Sequence, residues 1–188
     1  MPLCLVLIGR TGCGKDTFVE HALKKYSIPS IKYSTVIAEV VQELGIEVAG
    51  ENLKIKQQLW GPILRKQYGT ISYVKRLAEK VKGKDYIVNG SRAHEEVDLL
   101  RKVLGKDMVL VGILADFDVR FKRVQNRGAE FSFATLEQFK VSEARESESQ
   151  INGLLKGCDV TMTNNSSIED FHKQIDALLS KLGIKPKK

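Results

Sequence analysis

The feature that most constrains this chain is a glycine-rich loop between a short apolar run and an amphipathic segment. The apolar run extends from Leu3 to Ile8 and predicts a buried strand. The segment after the loop predicts a helix, because its apolar residues recur at helical spacing: Phe18, Val19, Ala22, Leu23 and Tyr26. The loop itself consists of Gly9, Arg10, Thr11, Gly12, Cys13, Gly14, Lys15, Asp16 and Thr17. Strand, glycine loop and helix in this order are the context in which such a loop binds phosphate groups.

The residue types of the loop explain why it suits a nucleotide's phosphates. Glycines at 9, 12 and 14 let the backbone adopt conformations that a Cβ forbids, so successive N–H groups can turn towards an anion. The start of the helix adds unpaired N–H groups and a positive dipole end, and Lys15 adds a full charge for the β- and γ-phosphates. The alternative is a glycine-rich turn of a Rossmann-like sheet without phosphate binding.

The positions after Lys15 bear on metal binding. The general Walker pattern has Ser or Thr there to ligate Mg²⁺, whereas this chain has Asp16 followed by Thr17. A hydroxyl one residue later resembles the nucleoside monophosphate kinases, the adenylate-kinase-like branch of P-loop proteins. Asp16 is a candidate metal ligand, directly or through water, because hard cations prefer oxygen. Alternatively, its carboxylate only stabilises the positive end of the helix dipole.

Further apolar runs predict five strands separated by helices, at about Leu3–Ile8, Ile31–Tyr33, Tyr86–Val88, Met108–Leu114 and Val160–Met162. This alternation predicts a three-layer α/β fold with a mostly parallel sheet covered by helices on both faces. We interpret residues 34–84 as a helical acceptor-binding insertion and residues 128–149 as a short lid, within one domain covering 1–188. Thr135 and Gln138 form a possible capping box inside the lid.

Composition narrows the classes of protein that remain possible. No apolar run approaches the roughly 20 residues that cross a bilayer, and no charged region precedes the first run, so we expect a cytoplasmic protein without a membrane partner. The net charge is +7, but the basic residues are scattered, so phosphate sites and a solvated surface explain it better than nucleic-acid binding does. The three cysteines show no metal-ligand spacing.

A second motif, Asn89-Gly90-Ser91-Arg92, directly follows the third predicted strand and therefore lies where open α/β sheets bind ligands. It resembles the Asp-Gly-x-Arg sequence of nucleoside monophosphate kinases and of archaeal relatives of adenylate and dephospho-coenzyme A kinases, with Asn89 in place of the acid. The resemblance implies that Arg92 binds a substrate phosphate through its planar fork. Alternatively, Arg92 starts a helix and pairs with Glu95 or Glu96.

Other basic and hydroxyl residues are candidates for substrate contacts. Arg65 resembles a second phosphate-binding arginine of the archaeal relatives, although a solvated helix face explains it equally well. The relatives carry an acid and an arginine near the start of the helix after the second strand, where this chain has Thr35 and Ala38. Ser34 and Thr35 either contact a phosphate or cap that helix.

Three arginines, Arg120, Arg123 and Arg127, are spaced to share one helix face just before the predicted lid. They resemble the lid arginines of the kinases, and Arg145 lies on the far side of the same segment. The alternative is a solvated basic face. Lid arginines would neutralise charge on a transferring phosphoryl group and help to exclude water.

Together these motifs make the chain similar to an adenylate-kinase-like P-loop nucleotide kinase, and to an uncharacterised archaeal family of that group. The resemblance implies ATP and Mg²⁺ as cofactors and a phosphorylated small molecule as acceptor. Lys15, Arg92, Arg123 and Arg127 are its expected catalytic residues; residues 9–17 bind the nucleotide, Ser34, Arg65, Arg92 and Arg145 the acceptor, and Asp16 and Thr17 the metal. Two alternatives stay open: a regulatory module that binds nucleotide without phosphotransfer, and a P-loop ATPase or GTPase.

Overall fold

The computed structural model describes residues 2–45, 63, 66–69, 71–126, 135–144 and 146–187. Its strands are β1 Cys4–Ile8, β2 Ser30–Lys32, β3 Tyr86–Asn89, β4 Met108–Leu114 and β5 Val160–Thr163. The helices of this part are α1 Lys15–Tyr26, α2 Tyr33–Glu43, α3 Ile71–Val81, α4 His94–Leu104, α5 Phe117–Gln125, α6 Leu136–Glu143, α7 Glu146–Lys156 and α8 Ile168–Lys181, with a 3₁₀ turn at Gly105–Asp107.

The five strands form one sheet in the order β2-β3-β1-β4-β5, and every neighbouring pair is parallel. The predicted five-stranded α/β architecture is therefore confirmed. Several strand boundaries differ from the prediction by one residue, and two of these differences bear on the site: Tyr33 begins α2 instead of ending β2, and Asn89 is the last residue of β3. Because all strands run in one direction, the segments that follow them lie at the same edge of the sheet.

Side chains of the central strand alternate between two apolar cores, as the period of a strand requires. Cys4, Val6 and Ile8 pack with α2, α3, α4 and α7 on one face, whereas Leu5 and Leu7 pack with α1 and α8 on the other. Burial of each such aliphatic side chain stabilises the fold by about 1.5–3 kcal/mol. The two cores fix β1, and with it the loop that follows β1, between two helical layers.

The predicted insertion and lid are described only in part. Within 34–84, α2 and α3 pack against the sheet core through residues such as Val36 and Leu77. Residues 46–62 lie outside the described residues, as do 127–134 and 145 of the lid region, so both segments remain predictions. Thr135 is the N-cap of α6, since its Oγ1 accepts a hydrogen bond from the Gln138 N–H at 3.2 Å.

The last helix, α8, is capped by Ser167, whose side chain accepts a hydrogen bond from the Asp170 N–H at 3.1 Å. Phe171 and Ile175 of this helix are buried, whereas Ile168 is exposed and contributes little to the core. Within the described ranges, no helix combines the length and apolarity needed to cross a bilayer.

Candidate functional site

The glycine loop lies at the carboxyl end of β1, and α1 begins at Lys15. Gly12 and Gly14 have φ angles of +83° and +112°, values that L side chains rarely adopt. A Cβ on Gly12 would come within 2.7 Å of the backbone oxygen of Arg120, and one on Gly14 would overlap the Asn164 amide. Glycine is therefore required at both positions by backbone conformation and by close packing.

Lys15 folds back over this loop. Its ammonium donates hydrogen bonds to the backbone oxygens of Gly9 at 2.6 Å and Arg10 at 3.2 Å, and lies 3.7 Å from the sulfur of Cys13. Burial lowers the pKa of Lys15, and the nearby positive charge of Arg92 lowers it further. A phosphate placed here would stabilise the protonated lysine, since an opposite charge favours the charged form.

The carboxylate of Asp16 lies beside two donors from neighbouring strands. The Asn89 amide donates to Asp16 Oδ1 at 3.1 Å, and the Lys32 ammonium lies 3.2 Å from the same oxygen. Lys32 and Asn89 end β2 and β3 and are direct partners in the sheet register. Thr17 follows in the first turn of α1 and is half-buried. The structure thus brings together Asp16 and Asn89, which the sequence analysis considered separately.

A buried carboxylate, Glu96, organises the turn that carries Arg92. It accepts hydrogen bonds from the backbone N–H groups of Arg92 at 3.0 Å and Ala93 at 3.3 Å, and from the hydroxyls of Ser91 and Tyr73 at 3.0 Å each. Sequence reasoning considered Glu96 only as a pairing partner for Arg92. Its spacing from Ala93, the N-cap of α4, is the signal that indicates its capping role.

Arg92 is half-buried in the turn after β3. Burial lowers the pKa of Arg92, and the negative charges of Glu96 and Glu143 partly offset this effect. The positive charge of Arg92 also contributes to the lowered pKa of Lys15, so the two cations lie near each other. The predicted phosphate-binding arginine and the loop lysine are therefore brought to one place.

Arg120 is buried, in contrast to the solvated basic face that was one of its two interpretations. Its side chain is only 5% exposed and forms an ion pair with Glu143 of α6 at 2.7 Å. It also donates to the backbone oxygens of Thr11 and Ala115, both at 3.1 Å, and its guanidinium lies 5.7 Å and 5.6 Å from the ring centroids of Phe117 and Phe139. Burial excludes the solvated basic face for Arg120, which connects α5, α6 and the loop. Because α6 belongs to the predicted lid region and Arg127 lies outside the described residues, the lid assignment stays a prediction.

Glu143 joins a second arginine to this connection. Its Oε2 accepts a hydrogen bond from Arg10 Nη1 at 2.8 Å, while Arg10 Nε donates to the side-chain oxygen of Asn152 at 3.3 Å. The loop is thereby tied to α6 and α7 through Arg10. No sequence signal marks Glu143, because neither of its partners is near it in the sequence. Arg10 lies 133 residues away, and Arg120 belongs to a different helix.

Arg123 lies at the same edge and contacts the segment after β5. It donates to the backbone oxygen of Asn164 at 2.9 Å and to its side-chain oxygen at 3.1 Å. The amide of the buried Asn164 in turn donates to the Cys13 backbone oxygen at 2.9 Å. Asn164 was missed by sequence reasoning, although its position directly after β5 is the expected place for a ligand-edge residue.

The other predicted residues are placed less completely. Arg65, Arg127 and Arg145 lie outside the described residues. Ser34 is half-buried in the first turn of α2. Because α2 begins at Tyr33 with Lys32 as N-cap, neither Ser34 nor Thr35 caps the helix, and the capping interpretation was wrong.

The charges around the loop are unbalanced. Within the described part of the chain, the contacts and charge effects above involve six cations and three carboxylates. The cations are Arg10, Lys15, Lys32, Arg92, Arg120 and Arg123, and the carboxylates are Asp16, Glu96 and Glu143. A partly buried surplus of positive charge suits a polyanionic ligand, because opposite charges attract more strongly where water is excluded.

Comparisons with known proteins agree with this architecture. No family model matches the chain. It is 29% identical over 184 residues to a UPF0200/UPF0201 protein of Archaeoglobus fulgidus, covering 95% of this chain but only 55% of that protein. It is also 29% identical over 183 residues to a UPF0200 protein of Hyperthermus butylicus, covering 96% and 95% of the two chains. The chain thus spans about half of the first relative and nearly all of the second.

Solved kinase structures share the fold. A dephospho-CoA kinase from Campylobacter jejuni superposes with a TM-score of 0.61 at 15% identity, covering 97% of this chain and 98% of that one. A shikimate kinase from Aquifex aeolicus superposes with a TM-score of 0.54 at 17% identity, covering 96% and 98%. The resemblance that the motifs predicted is confirmed: the chain is similar to archaeal UPF0200 proteins in sequence and to P-loop kinases in fold.

Proposed function

We propose that the protein is an ATP-dependent phosphotransferase that acts on a nucleoside monophosphate or a similar phosphorylated small molecule. The observation that carries this proposal is that Lys15, folded over the glycine loop, lies near enough to Arg92 after β3 for the charge of Arg92 to lower the pKa of Lys15. One cation suits the phosphates of a donor and the other the phosphate of an acceptor. The fold shared with kinases of small molecules supports the same assignment.

Each residue has a defined task in this proposal. The N–H groups of residues 9–17 and the Lys15 ammonium hold the β- and γ-phosphates of ATP. Arg92 holds the acceptor phosphate, with Ser34 at the start of α2 as a further contact. Arg123 supports the nucleotide near Asn164. Arg65, Arg127 and Arg145 are proposed as additional phosphate contacts from the predicted insertion and lid.

Asp16 and Thr17 are the proposed holders of Mg²⁺. The Asp16 carboxylate fits a cation, because the Lys32 ammonium already lies 3.2 Å from its Oδ1. Thr17, in the first turn of the same helix, is proposed as the second oxygen ligand. Oxygen ligands of this kind are those that Mg²⁺ prefers. When bound, the ion would neutralise negative charge on the donor phosphates.

The chemistry requires little beyond positioning and charge neutralisation. An acceptor phosphate brings an anionic oxygen as nucleophile, so that no side chain has to remove a proton from it. The P–O bond to that oxygen forms as the bond between the β- and γ-phosphates breaks, and ADP leaves. Lys15 and Arg92 would hold the two phosphates in line and limit their mutual repulsion.

The test measures ADP formation from ATP with a panel of nucleoside monophosphates and dephospho-coenzyme A. ADP formation that depends on one acceptor supports the phosphotransferase. Acceptor-independent ADP formation would instead indicate an ATPase, and tight ATP binding without turnover a regulatory module. Either of these two outcomes overturns the proposal.

A variant of the loop lysine tests the site directly. Lys15→Ala removes a charge-assisted contact worth about 1.5–3 kcal/mol, so ATP affinity in calorimetry should fall about 10- to 100-fold. The matched control is Lys24→Ala, which removes an exposed lysine from the same helix. Equal ATP affinity in the two variants would contradict the assignment of the loop.

A further inference from the structure

One carboxylate oxygen of Asp16 is contacted by two different donors. Asn89 Nδ2 donates to Asp16 Oδ1 at 3.1 Å, and Lys32 Nζ lies 3.2 Å from the same atom. The first donor is neutral and the second carries a full positive charge. One oxygen is therefore both oriented by an amide and neutralised by an ammonium.

Burial separates the roles of these donors. Asn89 is buried at the end of β3, between β1 and β2, so that its amide is fixed by the sheet. The Lys32 side chain is 58% exposed and that of Asp16 is 43% exposed. An ammonium on an exposed side chain can leave with little loss, because exposed ion pairs contribute little free energy.

We propose that Asn89 is a positioning residue for the Asp16 carboxylate when it binds a divalent cation, and that Lys32 competes with that cation for the carboxylate. The Asn89 amide fixes the carboxylate without adding charge, and the Lys32 ammonium occupies the place that the cation takes when nucleotide is bound. This inference rests on the proposed function, because the cation accompanies the nucleotide at the phosphate loop.

The chemistry of the three side chains supports this division of roles. A second carboxylate in place of the amide would put two negative charges in contact and add charge beside the donor phosphates. An amide provides the hydrogen bond without that repulsion. Lys32 and a divalent cation require the same oxygen, so the two compete, and the cation has the larger charge.

The first experiment removes the competitor. Each variant is saturated with a non-hydrolysable ATP analogue, and Mn²⁺ binding is titrated by the loss of the free-ion signal in electron paramagnetic resonance. Lys32→Met should raise Mn²⁺ affinity about two- to five-fold, the range set by an exposed ion pair. Lys32→Arg should stay close to wild type, because it keeps the competing charge. Unchanged or weaker Mn²⁺ binding in Lys32→Met overturns the role of Lys32.

A matched control isolates local from general charge effects. Lys75→Met removes one positive charge from an exposed position on α3. Its Mn²⁺ affinity should equal that of wild type. If Lys75→Met raises Mn²⁺ affinity as much as Lys32→Met does, net charge explains the result and the inference fails.

The second experiment exchanges the carboxylate and the amide. Asp16→Asn should lower Mn²⁺ affinity about tenfold or more, since it removes the charged ligand. Asp16→Asn combined with Asn89→Asp keeps one carboxylate and one amide in contact, and should recover most of the lost affinity. A double variant no better than Asp16→Asn would overturn the role of Asn89 as a partner of Asp16.

Nucleotide affinity without divalent cation separates this inference from the proposed function. Calorimetry in chelator reports the phosphate loop alone, and ATP should still bind to the Lys32 variants. If wild type does not bind ATP, the proposed function is overturned. If ATP still binds but the Lys32 and Asn89 substitutions do not affect Mn²⁺ affinity as expected, only the present inference is overturned.

Discussion

Replacing Glu143 by Gln should destabilise the fold strongly, because Glu143 neutralises a buried guanidinium. The Arg120 side chain is 5% exposed and that of Glu143 is 9% exposed, and their ion pair measures 2.7 Å. Removing one partner from a buried pair typically costs about 3–5 kcal/mol. Gln keeps an acceptor oxygen, and Arg120 keeps its bonds to the Thr11 and Ala115 carbonyls. We therefore expect a loss of about 2–3 kcal/mol in the free energy of unfolding.

Urea denaturation at neutral pH measures this loss, and thermal unfolding should show a midpoint roughly 5–10 °C lower for a chain of this size. Glu137→Gln is the matched control, because Glu137 is an exposed residue of the same helix and receives the same chemical change. Its effect should stay within about 0.5 kcal/mol.

Arg10→Met provides a second comparison within the cluster. Arg10 also binds Glu143, at 2.8 Å, but its side chain is 22% exposed, so its loss should cost less than about 1 kcal/mol. The expected order of destabilisation is Glu143→Gln, then Arg10→Met, then Glu137→Gln. If Glu143→Gln is as stable as Glu137→Gln, then the buried pair does not hold the loop and the reasoning is refuted.

Two further predictions concern acid stability and the loop glycines. Burial alone would raise the pKa of Asp176, but hydrogen bonds from Lys25, His21 and Tyr26 lower it to about 2 from its usual 3.8. Its contribution, about 1 kcal/mol after allowing for solvent, is present above pH 3.8 and is lost as the pH falls towards 2. Urea titrations at pH 5 and at about pH 2.5 should show a smaller decrease for Asp176→Asn than for wild type, and an equal decrease counts against the cluster. Gly12→Ala should destabilise more than Gly83→Ala, because both have positive φ but only Gly12 also meets backbone within 2.7 Å; equal unfolding midpoints would contradict the close packing.

Features encoded over a short stretch of chain could be predicted from the sequence. The apolar runs and the glycine spacing locate all five strands and the loop, since strand periodicity and glycine conformations are local properties. The start of α6 at Thr135 was likewise predicted, because a cap depends on neighbouring residues. Such signals depend only on residues that are close together in the sequence.

Contacts between distant segments could not be predicted in this way. In the sequence, Asn89 stands where the resembling kinases have an acid. In the structure, its amide donates a hydrogen bond to the carboxylate of Asp16. Arg120 reads as a surface cation because its helix spacing matches that of Arg123, yet tertiary packing buries it against Glu143. Asn164 contacts Cys13 across 151 residues, which no local pattern reports.

The opposite effects expected for Lys15 and Glu143 distinguish a binding site from a structural one. Burial lowers the pKa of Lys15, so the fold holds this cation where it is poorly solvated and gains little stability from it. Lys15→Ala should therefore lose ATP affinity while retaining stability, whereas Glu143→Gln should lose stability first. A ligand that binds only the folded state adds about 2.7 kcal/mol at one hundred times its dissociation constant. ATP at one hundred times the wild-type dissociation constant should thus stabilise Lys15→Ala by only about 0.4–1.4 kcal/mol, because its affinity is 10- to 100-fold lower. Equal stabilisation of both proteins would show that the nucleotide binds elsewhere.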